Sequence, residues 1–144
     1  MDYFLTTKNE KPKNELELCN SFSAKSELVL TEEEYQRLCE AHQKALDDFS
    51  RVEFGGGILP QLVKTFHRSK YINRENYCDM LEELQRVFYY FRGECDGLCS
   101  DAEILAYMRK AFDGEAAGNI EFLVGTSMER FCMKLRGRRN EYLD

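Results

Sequence analysis

Three consecutive glycines, Gly55, Gly56 and Gly57, precede Pro60, and Lys64, His67 and Arg68 follow within about two helical turns. Backbone amides freed from side chains can fold into a nest around an anion, and a helix starting just behind them adds partial positive charge. Lys64 or Arg68 would neutralise such a ligand, and His67 could give or take a proton. The same run also suits a packed corner or a hinge, because glycine goes where backbone must approach something closely. Three features favour the corner. Glu53 would repel an anion, Pro60 removes one amide donor, and no Gly-Lys-Ser/Thr closes the run as in a phosphate loop. A small-molecule or anion site over 54–59 stands as the alternative.

The other reactive side chains are sparser. Cys95 and Cys99 are separated by three residues across Asp96-Gly97, a spacing that can place two thiolates on one zinc. No second close Cys/His pair completes a four-ligand site, so two unrelated thiols beside a loop is the plainer reading, and no metal is expected. His42 falls on the apolar side of its helix between Leu38 and Leu46, which suits a satisfied core histidine better than a catalytic one. Adjacent acids such as Glu82-Glu83 and Asp47-Asp48 point about 100° apart on a helix and do not converge. Lys134, Arg136, Arg138 and Arg139 could meet phosphates, but cations also suit the end of a last helix. No nucleophile–base pair, metal set or cofactor fingerprint is legible, so no catalytic residue is assigned, no cofactor is expected, and the question of enzymatic activity stays open.

Charge narrows the partners. With 20 Lys/Arg against 26 Asp/Glu the chain carries −6, which argues against a dedicated nucleic-acid or anionic-membrane binder. No stretch reaches the roughly 18 apolar residues of a membrane span, and Met1–Asn14 lacks the apolar core of a secretory signal. The cytoplasm is therefore the expected compartment, with all six cysteines reduced.

The elements that must position these residues read as helices. Thr31 with Glu34, and Ser100 with Glu103, are capping boxes. The first opens a helix carrying Tyr35, Leu38, His42, Ala45, Leu46 and Phe49; the second opens one carrying Ile104, Leu105, Met108 and Phe112, with Gly114 as a left-handed cap. A shorter helix runs from Leu59 to about Ser69 with Pro60 in its first turn. Asn73 caps the most regular stripe, Tyr77, Met80, Leu81, Leu84, Val87, Phe88 and Phe91, which belongs at the centre of a core; Gly93 is expected to end it. Phe88-Tyr89-Tyr90-Phe91 covers more than one helix face, so some of these rings should reach the surface. Tyr89 and Tyr90 are the candidate interface residues.

The run Arg51-Val52-Glu53-Phe54-Gly55-Gly56-Gly57-Ile58-Leu59-Pro60, with Leu81-Glu82-Glu83-Leu84-Gln85, Ala111-Phe112-Asp113-Gly114 and Gly125-Thr126, resembles a family of short uncharacterised bacterial proteins, a domain of unknown function. That resemblance implies a cytosolic bacterial setting and carries no activity or catalytic residue with it. The expected fold is an all-α single-domain bundle of five or six helices with an extended N-terminal segment, which could include a short hairpin within 16–30. Residues 1–15 are read as a flexible arm and 16–144 as one helical domain. The expected function is protein–protein contact, with an unknown partner or by self-association as an oligomeric adaptor.

Overall fold

The computed structural model describes residues 14–49, 57–95 and 97–143, with backbone alone for 138–143. Among these residues every regular element is helical and no strand occurs. The fold is the all-α bundle that the two capping boxes and the aromatic stripe imply.

The N-terminal part differs from expectation. Residues 14–23 form helix α1, continued by a 3-10 turn at Ala24–Ser26, so the hairpin expected within 16–30 is absent. Only 28–31 is extended. There Leu28 and Leu30 are buried while Val29 is exposed, the alternation of a strand. Its partners are side chains of α1 instead of a second strand. The Asn20 carboxamide accepts from the Leu30 amide at 2.8 Å and donates to the Leu30 carbonyl at 3.1 Å. The Ser23 hydroxyl donates to the Leu28 carbonyl at 2.6 Å. Most of the arm expected over 1–15 lies outside the described residues; Asn14 and Glu15 belong to α1.

Helix α2 (Glu32–Asp48) starts at the Thr31 capping box, in which the Thr31 hydroxyl accepts from the Glu34 amide at 3.1 Å and Glu34 accepts from the Thr31 amide at 3.0 Å. Helix α3 (Leu59–Phe66) begins with Pro60 in its first turn. Helix α4 (Tyr77–Cys95) is the central column, against which α2 and α3 pack. It passes straight through Gly93, because a single glycine costs only about 1 kcal/mol in a helix and the surrounding contacts outweigh that. Leu81, Leu84, Phe88 and Phe91 are fully buried along it. Burial of each such side chain contributes about 1.5–3 kcal/mol. Gln85 is buried too, its amide donating to the Leu38 carbonyl at 3.0 Å and tying α4 to α2.

Helix α5 (Asp101–Asp113) opens at the Ser100 capping box. Arg109 holds it to α3 by donating to the Thr65 carbonyl and to Asp113 at 2.5 Å, while Asp113 accepts from the Ser69 hydroxyl at 2.6 Å. Gly114 is not the left-handed cap expected: its φ is −93°, and a Cβ there would meet the Lys110 carbonyl at 2.9 Å. The left-handed residues come later, at Ala117 (φ 49°) and Gly118 (φ 77°). Asn119 then caps the short α6 (Ile120–Phe122), accepting from the Phe122 amide at 2.8 Å. The helix widens into a π-helical segment at Leu123–Met128 and returns to α-geometry in α7 (Glu129–Leu143).

Candidate functional site

The glycine run is only partly visible: Gly55 and Gly56 lie outside the described residues, and Gly57 sits at a closely packed corner. A Cβ on Gly57 would come within 2.9 Å of the His42 ring carbon Cε1. His42 stacks on Tyr89 with ring centres 5.0 Å apart, and the Tyr89 hydroxyl accepts from the Ile58 amide at 3.1 Å. One amide donor just past the glycines is therefore given to a tyrosine. The cations proposed to help there look elsewhere. Lys64 lies over the Phe22 ring of α1 at 5.6 Å. His67 shares a 2.7 Å hydrogen bond with Ser26 through Nδ1. Arg68 is exposed beside it. The candidate ligand residues Gly57, Lys64 and His67 thus have separate neighbours.

His67 is buried, and burial first, then the charges of Arg68 and Arg109, hold its pKa below the ordinary value of 6.5. The folded chain therefore keeps this ring neutral while the unfolded chain protonates it as pH drops. Its contribution is present above about pH 6.5 and is lost as pH falls through the lower folded value. The fall in Tm between pH 7 and pH 5.5 should accordingly be smaller in His67→Gln than in the wild type; equal falls would remove His67 as the cause.

The cysteines come together differently from expectation. Cys95 on α4 meets Cys132 on α7 with 3.6 Å between sulfurs, and Cys99 also hydrogen-bonds to Cys95. Burial raises the pKa of all three thiols. All six cysteines are free thiols. Among the described residues no group of three or more His, Cys, Asp or Glu side chains is placed to hold a metal ion. Cys132, on a helix more than thirty residues away in sequence, carries no local signal that would have paired it with Cys95.

The aromatic run divides sharply. Tyr89 is 1% exposed, so its expected place at an interface is corrected: it is a core residue. Tyr90 is 37% exposed and forms the rim of a groove of about 290 Å³. The α4 side of the groove is Glu83, Arg86, Val87, Tyr90 and Phe91, the i, i+3, i+4, i+7 and i+8 positions of one helix face. Ile120 and Val124, one turn apart, supply the opposite wall, and Phe49 closes an end. Tyr90 packs edge-on against Phe49 (5.5 Å) and Phe91 (4.8 Å). Arg86 lies over the Phe49 ring at 4.9 Å and pairs with Asp48 at 2.9 Å, so its charge is already engaged. Glu83 is exposed at the rim and makes no ion pair among the described residues. Phe49, Ile120 and Val124 could not be joined to Tyr90 from spacing alone, since they arrive from separate elements. The π-helical segment that sets the register of Val124 has no recognisable sequence mark.

No helix among the described residues is long and apolar enough to cross a membrane. No curated protein and no solved structure matches the chain. A family model described as a family of unknown function (DUF6323) matches residues 15–141, which is most of the sequence. The chain belongs to that family.

Proposed function

We propose that this protein acts by non-covalent contact with another protein, and that the contact surface is the groove under Tyr90. The observation that carries this is the apolar lining of the groove, half-buried Ile120 and Val124 over buried Val87 and Phe91, beside a half-exposed aromatic ring. Its size suits one or two apolar side chains of a visiting segment. Each buried anchor contributes about 1.5–3 kcal/mol before the costs of association, which points to a modest affinity. Charge favours a foreign partner over a second copy. Two copies would bring Glu83 rims and −6 chains together, whereas a segment with a basic residue beside its apolar anchor would find Glu83 complementary. The setting we assign is the reducing cytosol of a bacterium, which the six free thiols and the family resemblance support.

A small anion held over 54–59 is the competing reading. It ranks second because Gly57 is occupied by His42 and the Ile58 amide by Tyr89.

A photo-crosslinking residue placed at position 90 tests the proposal in cells. The expected result is a heterologous protein adduct whose purified partner binds the wild-type chain but not Val124→Arg. An adduct consisting only of a second copy would overturn the foreign-partner reading. Undiminished binding to Val124→Arg would overturn the groove.

A further inference from the structure

A second cavity, on a different face, carries the opposite charge from the chain as a whole. On α5, Tyr107, Lys110 and Ala111 follow at i, i+3 and i+4, so they share one face, and Gly114, just past the helix end, also lines the cavity. On α7, Arg130 and Lys134 are one turn apart and face them across a cavity of about 410 Å³. The two helices are braced there by Tyr107 stacked on Phe131, with ring centres 4.3 Å apart. The cavity also contains Glu115, whose carboxylate is fully engaged. It accepts from the Ser127 hydroxyl at 2.7 Å and from Arg130 at 3.0 Å through both oxygens. Those bonds, Ser127 first and then Arg130, hold its pKa below the ordinary carboxylate value.

The π-helical segment explains how Ser127 reaches Glu115. Widening of the helix over Leu123–Met128 leaves Ser127 fully buried on the inner side, its hydroxyl directed at a carboxylate twelve residues earlier. Such segments occur often at functional sites. With Glu115 and Arg130 neutralising one another, the charge left to a visitor comes from Lys110 and Lys134, neither of which makes an ion pair among the described residues.

We propose that this cavity binds a small soluble molecule through a dianionic phosphate group, with Lys110 and Lys134 as the charge-bearing ligands and Arg130 as a further donor. Two ammonium groups on facing helices match two negative charges on a compact tetrahedral group, which a lone surface lysine would not. Lipid head groups and phosphorylated proteins share this chemistry. The cavity's limited volume favours a free small molecule over either.

Inorganic phosphate and pyrophosphate are the probes, titrated calorimetrically into the full chain against sodium chloride at equal ionic strength. Saturable binding of pyrophosphate is expected, weakened about tenfold or more, at least 1.4 kcal/mol, in Lys110→Ala/Lys134→Ala. Amide shifts should centre on Gly114 and Lys134. Lys25→Ala/Lys44→Ala removes the same charge elsewhere and should leave binding intact. Heats no larger than with chloride, or equal losses in the two double variants, would overturn the site. Sedimentation with phosphatidic acid vesicles, without binding of soluble phosphates, would assign the cavity to a membrane surface and overturn the small-molecule claim.

Discussion

Gly118→Ala should lower stability by about 3–4 kcal/mol and Tm by about 10 °C, the largest effect among the glycines whose surroundings the structure describes. Two independent penalties meet at this position. Its φ is +77°, a region that costs an alanine about 1–2 kcal/mol. A Cβ would also stand 2.7 Å from both Cβ and Cγ of Tyr71, closer than carbon atoms can approach. Tyr71 cannot swing away, because the clash involves its Cβ, next to the backbone, and its ring packs edge-on against Phe112 at 6.1 Å. Overpacking of this kind costs about 1–3 kcal/mol. Two companion glycines separate the terms. Gly97 has φ +76° with nothing within 4 Å of its Cβ position, so Gly97→Ala should show the backbone cost alone. Gly125 has neither feature, and Gly125→Ala should be neutral or slightly stabilising. Melting curves of the three variants decide the matter: equal losses for Gly118→Ala and Gly97→Ala would show that Tyr71 yields and that the steric argument is wrong.

That glycine was invisible as a requirement in the sequence, and the reason is instructive. Sequence reading singled out Gly114 because it follows a helix directly, yet the chain runs on through Ala116 and Ala117 before turning at Gly118. The Ala116 amide donates to the Ala111 carbonyl and the Gly118 amide to the Phe112 carbonyl, both at 2.9 Å, so the turn is set by bonds reaching five and six residues back. Local patterns with local causes were legible: both capping boxes and the α4 stripe are present. The extended backbone expected within 16–30 is found only at its end, because 16–26 is helical, and the partner that satisfies it is Asn20 on a helix, which no period-2 pattern can announce. The groove was half legible. Tyr89 and Tyr90 stood out together as too many aromatics for a single helix face, yet only Tyr90 reaches the surface, and Phe49, Ile120 and Val124 reach it only through tertiary packing. Likewise, Lys110 and Lys134 are each an ordinary surface lysine until α5 and α7 face one another.

Tyr89→Ala should cost about 4 kcal/mol, whereas its neighbour Tyr90→Ala should cost about 1 kcal/mol or less. Successive helical residues point about 100° apart, and here that angle separates core from surface. Tyr89 lies between the His42 ring at 5.0 Å and the Phe88 ring at 5.2 Å, and its hydroxyl is the acceptor for the Ile58 amide. Truncation would open a cavity and leave that buried amide without its partner, a further cost of about 1–3 kcal/mol. Tyr89→Phe isolates the second contribution and should lose about 1–2 kcal/mol. Tyr90 instead loses edge contacts with Phe49 and Phe91 that solvent already half surrounds. Against a total stability of about 5–15 kcal/mol, the first substitution removes a large share and the second very little. Chemical denaturation of the three variants measures this directly, and a Tyr90→Ala loss as large as that of Tyr89→Ala would place both rings in the core. The difference also governs how the groove can be tested. Loss of partner binding in Tyr89→Ala would report a damaged corner around Gly57 and Ile58, while the same loss in a fully folded Tyr90→Ala would report the contact surface itself.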